Sequence, residues 1–321
     1  MSQPYVSIHG NRLGLSGDGI LRVDGRDFKG AVPTLGKDIF VDSVTGNDNS
    51  DGLVPDRALA TLDAAFAKCT ADKGYVIYVL PKHSETITGA GGITHDVAGV
   101  SVIGLGQGGQ RPTFLMDAGT AVTYLITGND AYVSNIVLNS GHADVATAIN
   151  IQTATGVTID GVEFGDNTTD ENFVNCVQSG TTTDNQCDDL TLINNIWQSI
   201  DAGCISFYVG LGDVTGLLVS NNLVNHAGTG AASLVQMTSG DDARQVAIDH
   251  NRFMCLDAAG GVGIFFTDTA VNTGFVNDNF QALKDVADEL VASGSSGLFF
   301  YENRTASVAD KTGYVLPAVD S

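Results

Sequence analysis

LTLINNIW (190–197), LLVSNNLV (217–224) and VAIDHNRF (246–253) are three spellings of one eight-residue phrase. VSVIGLGQ (100–107), AYVSNIVL (131–138), VTIDGVEF (157–164) and TGFVNDNF (273–280) complete a series of seven. The third position is always apolar: Val102, Val133, Ile159, Leu192, Val219, Ile248 and Phe275. The fifth is small or amide-bearing in most copies, as Gly104, Asn135, Gly161, Asn194, Asn221, His250 and Asn277. The eighth is large and apolar apart from Gln107: Leu138, Phe164, Trp197, Val224, Phe253 and Phe280. Successive third positions lie 31, 26, 33, 27, 29 and 27 residues apart. A period in that range marks an array in which each unit buries its core against its neighbours.

Alternation of apolar residues at the start of each phrase has period 2, so each phrase opens on a strand with one buried face. A second strand signal follows 13 to 16 residues later in the five middle units, at Ile149/Ile151, Val174/Cys176, Ile205/Phe207, Leu234/Val235 and Ile264/Phe265. Two or three short strands per unit, turns of Gly, Asn, Asp and Thr, and no helical stretch predict an all-β chain. The architecture is a right-handed single-stranded parallel β-helix. Leucine-rich repeats need Leu-dominated anchors and a shorter, stricter period, and propeller blades need four strands in about 40 residues.

The amides at the phrase corner have a structural use: in stacked coils each can donate to one neighbour and accept from the other, and Asn tolerates the left-handed turn. Asn135, Asn194, Asn221, Asn251 and Asn277 are the expected rungs of that ladder, with Asn195, Asn222, His250 and Asp278 beside them. The eighth-position column reads as core stacking.

The 321 residues are 43% hydrophobic, enough for a sizeable core, and the 39 glycines are spread through turns. No run of 18 apolar residues exists, so no membrane-spanning segment is expected, and the N-terminus MSQPYVSIHGN lacks the pattern of a secretion signal. Fifteen basic against 37 acidic residues give a net charge of −22. Nucleic acid is excluded as a partner because phosphate binding rests on Lys and Arg, and anionic polysaccharide is disfavoured on the same ground. The five cysteines, Cys69, Cys176, Cys187, Cys204 and Cys255, lack metal-type spacing, and three fall in or beside strand signals as small apolar residues. Folding in a reducing cytoplasm fits them.

Residues 1–37 mix Gly-rich turns with short apolar runs and carry Arg12, Arg22, Arg26, Lys29 and Lys37. They have too few residues for a core of their own and read as an attachment arm, with Tyr5, Ile8, Arg12, Leu21, Arg22, Arg26 and Phe28 as contact residues. Residues 38–99 form a cap and first coil. Ile39-Phe40-Val41 is a strand, and Thr61 or Asp63 caps a short helix with Leu62, Ala65, Phe66 and Cys69 on one face. Asn47-x-Asn49-x-Asp51-Gly52 starts like a calcium loop, but position twelve is Ala58 where an EF-hand needs Glu. It reads as a turn. Residues 100–280 are the repeats, and 281–321 a closing coil and tail in which 281–290 form a short helix or an ordered insertion.

VDSVTGNDNSDG (41–52), ALATLDAAFAKC (58–69), GYVIYVLPKHSETI (74–87) and VSVIGLGQGGQRPTF (100–114) resemble the opening of pectin-lyase-fold proteins, and are especially similar to β-helical virion proteins of tailed bacteriophages. The resemblance covers 38–165 and extends to Phe280 by repeat pattern alone. It implies a homotrimer on the exterior of a virion, assembled in the host cytoplasm, whose partner is the major capsid protein or a tail or baseplate protein. No catalytic motif is carried over.

Lyase chemistry of that family needs carboxylate-held calcium and a strong base, yet Arg244 and Arg252 are the only basic residues between Arg111 and Lys284. Neither Gly-His-Gly nor Arg-x-Lys occurs. The carboxylates a glycosidase would need come from Asp188/Asp189, Asp241/Asp242 or the Asp166, Asp170, Glu171 cluster, all in loops that read as solvated turns. His83, His95 and His142 read as surface or turn residues. No cofactor, metal or catalytic residue is assigned. The expected function is a non-enzymatic head decoration, and the alternative is a tail spike that binds or cleaves host-surface glycan.

Overall fold

A computed structural model describes, with side chains, residues 36–89, 92–166, 170–180, 187–238, 242–256, 263–264, 272–284 and 297–306, together with backbone strands outside these ranges. Three parallel sheets wind into one solenoid. In each coil a strand of the first sheet, such as Thr158–Asp160, turns sharply into one of the second, Glu163–Asp166, and then into one of the third, Phe173–Ser179. The first sheet has ten strands, the second ten and the third eight. Only the last strand of the second sheet, Gly313–Leu316, runs antiparallel.

The interior follows from the third position of the phrase. Ile39, Ile77, Val102, Val133, Ile159, Leu192, Val219, Ile248 and Val276 pair in unbroken register, and every one is buried. The second sheet contributes Phe114, Leu138, Phe164, Trp197, Val224 and Phe253. Phe114 takes the rung expected of Gln107, because 105–112 insert a short 3-10 turn at Gly108–Gln110. In the third sheet Ile149, Val177, Tyr208, Val235 and Ile264 align. Val174 and Ile205, expected inside, lie three residues before Val177 and Tyr208 of that row, and Ile205 is exposed.

The final phrase is also out of frame by one. Val276, not Phe275, stacks on Ile248, and Gln281, not Phe280, stacks on Phe253. Both adjoining residues are apolar, so alternation allows either frame; the register chooses the one that turns Phe275 and Phe280 outward. Residues 280–283 are a strand where a helix or insertion was expected, and 285–290 lie outside the described residues.

The longest amide ladder occupies the sixth position, with a shorter one beside it at the fifth. Asn195, Asn222, Asn251, Asn279 and Asn303 are buried, and each Oδ1 from Asn222 on accepts both the backbone N–H and the Nδ2 of the preceding rung at 2.9–3.1 Å. Each Nδ2 also donates to a third-position carbonyl one coil back, as Asn222 does to Leu192 O at 2.9 Å. Of the expected rungs, Asn251 is in the longest ladder. Asn277 is not: it pairs with Asp249 on the first sheet. Asn135, Asn194 and Asn221 hold the fifth position, where φ is +54° to +59° and the chain makes its left-handed corner. There Asn221 donates to Asn194 at 2.6 Å, Asn194 to Asp160, and Asn135 to Gly104 O and Gly106 O.

At the N-terminal end Thr61 caps helix Leu62–Phe66, whose Leu62, Ala65 and Phe66 are buried. Below it His83 and His95 are buried, where surface or turn positions were expected. His83 Nδ1 accepts from Ser43 N at 3.0 Å, so Nε2–H donates to Glu85 at 3.1 Å. Tyr5–Ile8, Asn11–Leu15, Leu21–Val23 and Arg26–Asp27 form a separate four-stranded antiparallel sheet. Tyr5, Ile8, Arg12, Leu21, Arg22 and Arg26 fall on its strands; Phe28 lies outside the described residues.

Candidate functional site

The outward rows of the last coils hold what the interior does not use. Along the second sheet the register lines up Ile196, Leu223, Arg252, Phe280 and Arg304. Phe280 is 41% exposed and stands between two exposed arginines. A groove of about 690 Å³ opens over this row, lined also by Asn221, Leu223, Met254, His250 and Asp278. His250, on the left-handed corner, lies 3.5 Å from Asp249 and 3.3 Å from Asp278.

Charge pairing separates these arginines from the others whose side chains are described. Arg57 meets Asp51 at 2.9 Å, Arg111 pairs with Glu163, and Arg244 with Asp242. Arg252 and Arg304 have no carboxylate partner among the described residues. Around the corner, on the first sheet, Phe275 and Phe299 stack with centroids 5.9 Å apart, at 60% and 68% exposure, and Tyr301 is 64% exposed. Sequence reading placed Phe275 and Phe280 in the core, and so missed both surfaces.

The expected carboxylate sets are dispersed. Asp188 Oδ1 accepts from Thr215 N at 2.8 Å, and Asp189 sits in a left-handed corner at φ +55°. Asp242 is tied to Arg244, and Asp241 lies outside the described residues. Asp170 is exposed and Glu171 half-buried, whereas Asp166 closes a strand of the second sheet. Burial pushes the Asp166 carboxyl up to about 6, against backbone N–H donors from Ile200 and Asp201. In the calcium-like turn Asn47 Oδ1 accepts from Asn49 N, and Asp51 Oδ1 from Leu53 N.

One arrangement looks catalytic in outline. The register sets Ser199 one coil beyond Asp166, and Ser199 Oγ lies 2.6 Å from His226 Nδ1. His226 Nε2 donates to Gly230 O at 2.7 Å, so Nδ1 accepts from the hydroxyl. Both Ser199 and His226 are buried, however, and a substrate has no approach to them. They satisfy each other inside the solenoid.

No known protein family matches the chain, and neither does any curated protein. Among solved structures it is similar to a rhamnogalacturonan lyase, 13% identical, with a TM-score of 0.54 over 84% of this chain and 73% of that one. A GH136 lacto-N-biosidase from Eubacterium ramulus aligns over 85% of this chain and 68% of its own at 10% identity, but its TM-score of 0.22 carries no argument. The first likeness, with the sheet topology, defines the class: a pectin-lyase-like right-handed parallel β-helix.

Proposed function

We propose that the chain is a structural protein of a tailed-phage particle: a stiff β-helical rod, three copies side by side, decorating the head and held by its N-terminal residues. The observation that carries this reading is the exposed ring set Phe275, Phe299 and Tyr301 on one outward sheet face of a rod whose interior is already complete. Lateral packing of copies would cover those rings, which water solvates poorly. The resemblance of 38–165 to phage virion proteins supports the setting. The N-terminal sheet supports the attachment role, since its register alternates an apolar row, Val6, Leu13 and Val23, with a row holding Ser7 and Arg12. Deleting residues 1–37 should leave a soluble rod that no longer enters particles. Normal incorporation of the truncated chain would remove the attachment role. Mass-spectrometric copy numbers in the hundreds per virion would support head decoration, and numbers near 3 to 18 a tail spike.

A second reading, a tail spike that binds or cleaves host-surface polysaccharide, is favoured by the groove over Phe280. It also draws on the solenoid neighbour, named as a rhamnogalacturonan lyase. Host lipopolysaccharide or capsule incubated with the pure protein should then release reducing ends or an unsaturated product.

A further inference from the structure

We propose that the groove formed by Arg252, Phe280 and Arg304 binds a glycan carrying carboxylate-bearing sugar units. The inference rests on the glycan reading for its ligand class but asks only for binding, not cleavage. Three observations converge. Phe280 is exposed and lines the groove, and the apolar face of a pyranose can pack on such a ring. Arg252 and Arg304 flank it in one row, two strand spacings or roughly 9–10 Å apart. In a chain with 37 acidic residues these two guanidiniums are left without a carboxylate partner among the described residues, while Arg57, Arg111 and Arg244 each have one. A planar guanidinium grips a carboxylate through two parallel N–H···O bonds, so the row is short of the ligand it is shaped for.

The surroundings select among anions. Asp249 and Asp278 hold the adjoining corner around His250, and Glu302 occupies the next corner. A dense polyanion such as single-stranded nucleic acid needs a continuous basic track, and these carboxylates would repel it. A polymer with one carboxylate per repeat and neutral rings between brings its charge to Arg252 and Arg304 alone. Asn221 lines the groove beside them as a hydrogen-bonding partner for ring hydroxyls. A sparse acidic glycan therefore fits, although the whole-chain charge argues against pectate-like polymers. Two local cations decide the contact, and the net charge only slows the approach.

Full-length protein should be titrated calorimetrically against uronate oligosaccharides of hyaluronan, heparosan, alginate and polygalacturonate, with cello-oligosaccharides and an oligo-dT strand as controls. At least one sparse uronate should bind saturably. Arg252→Gln, Arg304→Gln and Phe280→Ala should each weaken it about tenfold or more, as expected for loss of a charge-assisted bond pair or a stacking platform. Phe275→Ser on the neighbouring sheet should leave affinity unchanged, and thermal unfolding should confirm that all four variants are folded. No binding across the uronate panel, equal binding of the neutral sugar, or unchanged affinity in the arginine variants would overturn the proposal. So would an effect of Arg252→Gln on oligomer size alone, which would make the groove a contact between copies. Binding without product release would leave this site standing and remove the cleaving form of the glycan reading.

Discussion

In the coils between Val76 and Ser179 the sixth position of the phrase holds Leu105, Ile136 and Val162; from the next coil on it holds Asn195, Asn222, Asn251, Asn279 and Asn303. The early coils close their corner by apolar contact and the later ones by a run of bonded amides. Their outer surfaces differ in the same sense. Among the described residues the exposed aromatic rings Phe275, Phe280, Phe299 and Tyr301 are all in the last two coils, whereas the exposed aliphatics Val44, Val54, Ile200, Ile205 and Leu256 are scattered along the chain. Arg252 and Arg304, without a carboxylate partner among the described residues, lie within the last three coils. The shared inward rows show that stacking alone fixes the coil. Departures from them mark where the chain has been left free to do something else.

The largest expected effect tests the part both halves share. Trp197 is fully buried at the junction, between Phe164 and Val224. Trp197→Ala should cost about 3–5 kcal/mol in denaturant unfolding. Trp197→Phe should cost far less, because the indole Nε1–H has no hydrogen-bond partner among the described residues and its removal offsets part of the lost volume. Equal losses in the two variants would mean the column does not stack as a continuous core.

Next in size is a pH effect confined to the early end. His95 is buried under Phe66, centroids 4.5 Å apart, with Tyr124 Oη 3.3 Å from its Nδ1. Burial pushes its pKa down from 6.5 to about 4, against a smaller opposing backbone bond. Above pH 6.5 both folded and unfolded chains hold it neutral. As pH falls through 6.5 towards 4 the unfolded chain takes up the proton and the folded one does not, so stability drops by about 3 kcal/mol. Unfolding curves at pH 8 and pH 4.5 should therefore diverge more in the native chain than in His95→Phe. Parallel behaviour would show that His95 titrates normally and the cap is open to water.

How much of this was legible in the sequence depended on whether one residue's type or the register carried it. Third-position residues such as Ile159 and Leu192 announced themselves, since an apolar residue recurring at that interval has one explanation. The helix at Thr61 did so by its cap and spacing. The ladder was half legible: Asn194-Asn195 and Asn221-Asn222 put amides at both corner positions, so composition could not say which side faced in. The invariant Asn at 251, 279 and 303, beside a varying His250, Asp278 and Glu302, was the available signal. The groove was not legible. Arg252, Phe280 and Arg304 are unremarkable residues 28 and 24 positions apart, and a one-residue slip in the last phrase hides Phe280 inside.

The ladder is the third test. Asn222→Val places in a late coil the kind of residue that early coils carry at Ile136 and Val162. It strands the Asn195 backbone N–H and Nδ2, which Asn222 Oδ1 now accepts at 2.9 and 3.0 Å, and leaves Leu192 O without its donor. Denaturant unfolding should show a loss of about 2 kcal/mol. A loss below about 0.5 kcal/mol would mean the two corner solutions are interchangeable, and that the amides serve something other than stability.

The smallest effect is expected at the stacked pair Phe275 and Phe299. Both rings are mostly in water, so a double-mutant cycle with Phe275→Thr and Phe299→Thr should return a coupling of only about 0.5–1 kcal/mol in the isolated chain. The value matters because it separates two uses of the late coils. If copies associate through this face, the rings are buried in the assembly, and the same double variant should shift the oligomer to monomer in light scattering while monomer stability hardly changes. If the face stays open in solution, oligomer size will not respond, and the exposed rings must be explained by a partner other than the chain itself. The early coils supply the control: Val133 and Ile159 sit inward in the same sheet, and replacing either should lower stability without altering association.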